Sequence, residues 1–496
     1  IQGGVSSAGS EMGDPLSLSA QASASGNMVT GRLGSISDSD IAMVAGSAWA
    51  NAQNAVSVAD GNRLAFDVSS LVSNPVFLVT GGESVAGTTY GSLLPLSAQA
   101  SASGNVVTGH FESISDSNLA TAAGNARAYG QDAVSFADGN HLTFETAISV
   151  SNSTLEFYGG YSAAESVSGD LQTAQASASG NEVSGRFESV SDSTISMVAG
   201  SAAAYGQDVV ALADGNHLDL EISSLSSSDD SGDDSSDVFS VIGGNSVIGS
   251  LGVASLLLSA QTSASGNEVS GCVESISDSF ISMVAGSASA YGQKAVSSAD
   301  GNRLTFEVAT SVSNSMLEVQ GGLAMAGGES GDSQSAQASA SGNLVTGVIT
   351  GSFDQSSSLG INGGRAMAVA EDSTAVADNN RVQLSLEGVA ADSPVSLLLS
   401  GAVAQAQTRA AAGGNLVVVS GKDTAVKAVN GTLYGAQVTT LQWSGEADAS
   451  GNRVEVSGID LTGSTTGAQV RNENRDENSS GSVNARSEEH TSELLS

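Results

Sequence analysis

From Ser19 the chain runs SAQASASGNMVTGRLGSIS, with small apolar and polar residues alternating on either side of a Gly-Asn pair. Alternation at period two marks a strand with one face turned inward, so Ala20, Ala22 and Ala24 are predicted to face a core. Gly and Asn tolerate positive φ, which predicts a corner where the pattern breaks. The phrase returns as SAQASASGNVVTGHF (97–111), TAQASASGNEVSGRF (173–187), SAQTSASGNEVSGCV (259–273) and SAQASASGNLVTGVI (335–349).

A second phrase, ADGN, falls between these copies. Its Asn62, Asn140, Asn216 and Asn302 each lie 35 residues beyond Asn27, Asn105, Asn181 and Asn267, and DNN supplies Asn380 after Asn343. GGN at Asn415 and ASGN at Asn452 bring the anchors to twelve. The two series read as diverged copies of one unit. Both GNVVTGHFESISDSNLATAAGN (104–125) and GNHLTFETAISVSNSTLEFYGG (139–160) carry an alternating run, an SDS or SNS turn, a second apolar run and a closing Gly pair or Gly-Asn. The best helical candidate is ISMVAGSAAAYG (195–206), in which Gly and Ser are weak helix formers.

Gly-Asn between alternating runs also suits a two-residue hairpin, so an antiparallel hairpin-based repeat array is the alternative fold. A meander of hairpins leaves long open edges unless it closes. A solenoid pairs each strand with its counterpart in the next coil, which accounts for a position keeping its residue type. The favoured fold is therefore all-β: a parallel β-solenoid of about twelve 35–43-residue units over residues 1–460. Asn27, Asn62, Asn105, Asn140, Asn181, Asn216, Asn267, Asn302 and Asn343 would then stack into a hydrogen-bonded ladder, with Ala on Ala inside. Twelve coils spaced by ~4.8 Å make a rod ~60 Å long.

The breaks in the beat are informative. The spacing from Asn216 to Asn267 is 51 residues, against 41 for Asn140 to Asn181 and for Asn302 to Asn343, and the excess coincides with SSSDDSGDDSSD (226–237). That segment is predicted to be an acidic loop extruded from a coil. IQGG (1–4) matches VQGG (319–322), so the chain is expected to begin inside a coil, as part of a longer open reading frame. Residues 461–485 form a polar tail expected to be disordered, and RSEEHTSELLS (486–496) resembles a translated sequencing-library adapter and is set aside as artefact.

Composition narrows the function. Aromatics are only 4% of 496 residues while apolar residues reach 40%, so the core is predicted to be built from small side chains between closely spaced backbones. A net charge of −37 repels phosphate backbones and anionic lipid, which argues against nucleic-acid partners and suits an exported, solvated surface. No apolar run is long enough to span a bilayer, so no membrane insertion is expected of these residues. Cys272 stands alone, where other copies have Arg32, His110 or Arg186, and reads as an incidental thiol with no disulfide or cysteine metal cage.

Units such as GNHLTFETAISVSNSTLEFYGGYS (139–162) resemble the β-strand-repeat passengers of bacterial autotransporter and haemagglutinin-like surface proteins, over roughly residues 1–460. The resemblance implies a right-handed parallel β-helix, export across two membranes, and attachment through a C-terminal outer-membrane barrel. Neither barrel strands with aromatic girdles nor an Arg-Gly-Asp attachment motif occurs in these residues.

Candidate chemistry is sparse. His110, His141 and His217 occupy polar columns shared with Arg in other units, His490 lies in the adapter-like end, and no nucleophile recurs at a fixed distance from any of them. Asp38, Asp116, Asp192, Asp278 and Asp354 each follow a first-series anchor by eleven residues. Such a column could bind Ca²⁺ or act as acid and base, but alternate coils place its members ~10 Å apart, and an SDS turn with a capping Asp is the favoured reading. Asp229, Asp230, Asp233 and Asp234, with Asp237, could hold Ca²⁺ weakly, although their spacing fits no known Ca²⁺ loop. Trp49, Trp443, Tyr129, Tyr205 and Tyr291 are too few for a sugar-stacking platform; the three tyrosines share a repeat position and could form an aromatic column.

The expected function is that of a non-catalytic, secreted or surface-displayed passenger, an adhesin or an extended stalk, needing no cofactor beyond weak Ca²⁺. Its partners would be surface molecules or glycans of a host or neighbouring cell, with self-association as an addition. Contact is expected at the longer connections 83–97, 161–173, 226–255 and 323–335. The alternatives are a polysaccharide-degrading enzyme on a β-helix and a self-assembling extracellular fibre.

Overall fold

The computed structural model describes residues 1–9, 19–72, 74–87, 96–166, 173–227, 237–249, 259–327, 335–354, 356–388, 396–422, 426–440, 446–472 and 483–491. Every regular element among them is a strand. The coil anchored at Asn105 is typical. A short strand, Ser97–Ser101, leads through the Gly-Asn corner into a long strand, Val106–Ser115, which turns into a return strand, Asn118–Tyr129. The next coil repeats the plan as Asp132–Phe136, His141–Ser151 and Thr154–Glu165.

All three strands pair in parallel with their counterparts: Ser97 with Asp132, Val106 with His141, Asn118 with Thr154. One unit is therefore one coil. Return strands build a sheet of 13 strands, and short and long strands together build the opposing sheet of 25. The chain is a parallel β-helix. The hairpin array is excluded, because strands adjacent in sequence lie in different sheets or end to end along one coil, and each pairs with its counterpart in the next coil. The helical candidate 195–206 is instead the core of the return strand Thr194–Tyr205, paired on both sides by Thr154–Glu165 and Asp237–Gly249. Neighbouring strands supply its backbone partners, and that pairing overrides a weak helical propensity.

The cross-section holds two cores. Between the long strand and the first half of the return strand lie Phe, Leu, Ile, Met and Val. Between the short strand and the second half of the return strand the lining is almost wholly Ala. The aromatic residues are concentrated in the first core, where Phe111 and Phe144 have ring centroids 5.3 Å apart and Phe144 and Phe157 4.4 Å apart.

Anchors Asn27, Asn105, Asn181, Asn267, Asn343 and Asn415 define odd coils; Asn62, Asn140, Asn216, Asn302, Asn380 and Asn452 define even ones. The two kinds are complementary. Even coils place Phe66, Phe144, Leu220 and Phe306 in the column where odd coils have Gly31, Gly109, Gly185, Gly271 and Gly347. A Cβ on Gly109 would lie 2.4 Å from the Phe66 ring, and one on Gly347 2.2 Å from the Phe306 ring. The Phe66 and Phe306 rings thus occupy the space left by Gly109 and Gly347, while Gly31, Gly185 and Gly271 face Met43, Met197 and Met283 of their own coils. Through Gly347 the column therefore repeats every two coils, not one.

Connections alternate as well. Odd return strands pass tightly into the next short strand, as from Tyr129 to Asp132 and from Tyr205 to Asp208. The first four even ones take a longer path, from Gly87 to Ser97, Glu165 to Thr173, Gly249 to Ser259 and Gly327 to Ser335, whereas the next even one passes tightly from Ala406 to Arg409 and the odd one after it takes a longer path from Thr440 to Glu446. The expected contact segments 83–97, 161–173 and 323–335 are these connections with their flanking strands, and 226–255 includes the return strand Asp237–Gly249; within these segments residues 88–95, 167–172, 228–236, 250–255 and 328–334 lie outside the described ones. Beyond residue 460, Ile459–Asn472 pairs with Val426–Thr440 and Val483–Thr491 with Glu446–Ser457. An open sheet edge accepts any extended segment that reaches it, whatever its side chains.

Candidate functional site

The anchors form one unbroken ladder. In each coil the Asn backbone N–H and Nδ2 both donate to Oδ1 of the next anchor, from Asn27 to Asn62 at 3.0 and 2.9 Å through to Asn415 to Asn452 at 2.9 and 2.8 Å. The intermediate steps, such as Asn140 to Asn181 and Asn181 to Asn216, repeat this geometry. The side chains are buried from Asn62 onward and sit between the two cores. They are faced by a column of glycines on the return strands: a Cβ on Gly200 would lie 2.1 Å from the Ala178 carbonyl oxygen and 2.5 Å from Asn216 Oδ1. The column passes to Ala402 in a later coil.

Two further ladders flank it, both with a two-coil period. At the Gly-Asn corner the aspartates of ADGN alternate with serines of ASGN. Asp138 Oδ1 accepts from the Ser179 N–H and the Ser177 hydroxyl, both at 2.7 Å, while the Asp138 N–H donates to Ser103 Oγ at 3.1 Å. Asp60, Asp214 and Asp300 repeat this pattern. At the opposite corner, Asp38, Asp116, Asp192 and Asp278 have φ between 46° and 51°, and Asn74, Asn152 and Asn314 take the same left-handed conformation in even coils. Asn314 Nδ2 donates to Asp278 Oδ1 at 2.7 Å, and Asn152 Nδ2 donates to Asp116. The aspartate column is thus interleaved with amide donors. Asp354 departs from it: burial would raise its pKa, but bonds from Ser357, Ser356 and the Asn314 and Ser356 N–H groups hold its carboxyl below the ordinary value.

The outer face of the long strand alternates in charge. His141 lies 3.0 Å from Glu182, His217 3.7 Å from Glu268, and His110 3.2 Å from Asp67, which also meets Arg32 at 3.1 Å. The histidines therefore sit beside carboxylates of adjacent coils, in exposed pairs each worth about 0–1 kcal/mol. Cys272 fills the basic slot between Glu221 and Glu307, and burial followed by those charges pushes its thiol pKa up, away from a reactive thiolate. Among the described residues no group of three or more His, Cys, Asp or Glu side chains could hold a metal ion. The Ca²⁺ candidates Asp229, Asp230, Asp233 and Asp234, and likewise Trp443, lie outside the described residues.

The aromatic residues depart from expectation. Tyr129, Tyr205 and Tyr291 share a register position but do not stack, because Glu165 stands between the first two and Gly249 follows Tyr205. Instead, four of the seven tyrosines meet on the outer face of three successive return strands. Gly159-Gly160 breaks the alternation of one strand, so Tyr158 and Tyr161 both emerge on that face, edge to face with centroids 6.2 Å apart. The Arg127 guanidinium lies 5.5 Å from the Tyr161 ring centroid. Tyr129 and Tyr205 flank Glu165, and Ala163 and Ala203 continue the row that begins with Arg127. The Gly pair that closes the unit in sequence thus lies inside a strand, and the phrase YGGY sets these two rings on the outer face.

Burial, then the Glu165 charge, holds the Tyr129 hydroxyl above its ordinary pKa; at Tyr205 burial is followed by Tyr161 and Glu165. Burial also raises Glu165 itself, with Arg127 opposing. A carboxyl whose pKa is raised by folding contributes stability below its unfolded pKa and loses it as pH rises through the folded value. Glu165→Gln is accordingly expected to melt slightly higher than the parent at neutral pH, by a fraction of a kcal/mol because the group is half exposed to solvent screening. The gap should close in acid, where both side chains are neutral. An unchanged gap across thermal melts in neutral and acid buffer would contradict the burial argument.

The chain matches no family model, no curated protein and no solved structure.

Proposed function

We propose that this β-solenoid is a non-catalytic passenger displayed on or secreted from a bacterial cell, of the autotransporter or haemagglutinin-like kind, serving as an adhesive stalk. The observation that carries this reading is the continuous Asn ladder. Twelve coils locked in one register make a stiff rod, ~50 Å from first to last anchor at ~4.8 Å per step, whose outward faces are free to vary. The acidic surface supports it by keeping like rods apart in solution. The aspartate columns fit a structural role, since their carboxylates are engaged by donors of adjacent coils.

The reading is tested by displaying the full chain on a non-adherent bacterium. Cells should be retained on monolayers or glycan-coated surfaces, with reducing ends in the supernatant at background. Retention equal to that of non-displaying cells sinks the adhesive reading, and release of reducing ends makes the chain a polysaccharide-cleaving enzyme.

A further inference from the structure

We propose that the patch formed by Tyr129, Tyr161, Tyr205, Arg127 and Glu165 is a binding site for an extended neutral glycan, lying along the solenoid axis; this rests on the adhesive reading above. Three features of the patch select that ligand. The first is ring surface. Tyr161 has Tyr158 against its edge, and four residues further along the same strand Tyr129 and Tyr205 stand on either side of Glu165, two strands apart, ~10 Å along the axis. The C–H faces of pyranose rings pack on such aromatic surfaces, and an extended pyranose chain offers successive faces at a spacing of that order.

The second is polar reach. Arg127 and Glu165 place a fork of donors and a pair of acceptors beside the rings, the complement that sugar hydroxyls need. Asn125, next to Tyr161 in the register, also has a buried Oδ1 with no hydrogen-bond partner among the described residues. Ala163 and Ala203 put short side chains in the row beginning with Arg127, and Ala163 is only 3% exposed, so the larger side chains around it close over that row.

The third is charge. Arg127 already faces Tyr161 and Glu165, and the chain as a whole carries −37, so a polyanionic glycan would be repelled. A neutral one is not. The patch is also local: Tyr291 occupies the same strand-end position two coils further on, but its strand neighbour on that side is Gly327, and it has no Arg or second tyrosine in register with it.

The probes are cellohexaose, chitohexaose and maltohexaose, titrated into the full chain and followed by calorimetry and by tyrosine fluorescence. At least one is expected to bind saturably, with Tyr161→Ala weakening it at least tenfold and Tyr291→Ala leaving it unchanged. Superimposable thermal melts of the variants exclude misfolding as the cause. The proposal is overturned if none of the three binds in the millimolar range, or if Tyr161→Ala and Tyr205→Ala bind as the parent does. Displayed cells distinguish this failure from that of the wider reading. Adhesion that survives in the Tyr161→Ala, Tyr205→Ala double variant overturns this site alone, whereas parent cells that do not adhere overturn the adhesive function.

Discussion

Deleting residues 132–172 is expected to disrupt the solenoid, while deleting the longer stretch 132–207 should leave it close to intact. The shorter deletion removes one even coil and stacks the coil of Asn105 directly on that of Asn181. Gly109 then meets Gly185 in the register column where Phe144 had stood between them, so the core loses a buried ring with no side chain in its place, leaving a cavity. Asp116 and Asp192, now in adjacent coils, come within ~4.8 Å with no amide between them. The Ser179 N–H loses its acceptor, Asp138. His110 faces Arg186 instead of Glu145. A cavity, an orphaned donor and stacked like charges together cost about 5 kcal/mol or more at that one interface.

The longer deletion removes an even and an odd coil. It joins Gly130-Gln131 to Asp208, reproducing the native Gly206-Gln207-Asp208 junction. The coil of Asn105 then rests on that of Asn216, so Gly109 meets Leu220, His110 meets Glu221, and Ser103 meets Asp214. In a solenoid stability is close to a sum of nearest-neighbour terms, so the restored interface should retain a single melt within a few degrees of the parent. Thermal and urea melts of the two deletants decide the matter. If both behave alike, the two-coil period carries no energetic weight.

The second large effect is expected from Asn181→Ala. The Asn140 N–H and Nδ2 both donate to Asn181 Oδ1, at 2.9 and 3.0 Å, and Asn181 in turn donates twice to Asn216. Truncation strands two buried donors of Asn140 and leaves Asn216 Oδ1 with the backbone N–H of residue 181 as its remaining donor from that coil. At ~1–3 kcal/mol for each of the two donors left unpaired, the loss is about 2–6 kcal/mol. Asn181→Asp separates this cause from simple loss of volume. A carboxylate there still accepts from Asn140 but turns an anion toward Asn216 Oδ1, which raises its pKa in the folded state. Protonation supplies the missing donor, so the Asp variant should gain stability as pH falls, and the Ala variant should not. Equal pH profiles for the two variants in urea melts would argue against the ladder as the source of stability.

The coil and its Asn corner were legible because both obey local rules: period two for strands, and positive-φ residues where strands turn. The complementarity of odd and even coils was not. Treating ADGN and ASGN as two versions of one unit hides the fact that Asp138 and Ser179 are neighbours in space and bind one another. The signal was present in the sequence. Once one unit is taken as one coil, the 41-residue step from Asn140 to Asn181 also aligns Phe144 with Gly185, large with small. The tyrosine patch was hidden for another reason. Its members come from three coils, and composition averaged over the chain says nothing of where four rings gather. Only the phase break at Gly159-Gly160 sets Tyr158 and Tyr161 on one outward face.

The alternating connections bear on how such a protein can change. Departures after Gly87, Glu165, Gly249 and Gly327 all occur at the same corner of successive even coils, so they follow one another at ~10 Å along one edge of the rod. Lengthening such a connection costs little entropy, about 0.6 kcal/mol per doubling, and disturbs none of the columns within. Residues inside a coil are each held by two neighbours and can change only in concert with them. The protein is thus divided between a text that must be copied faithfully and a margin that can be rewritten. Novelty acquired in that margin would accumulate along the edges where strands turn, at this corner and at the one that carries the acidic segment between Ser226 and Asp237, as combs of independent teeth on a shared spine.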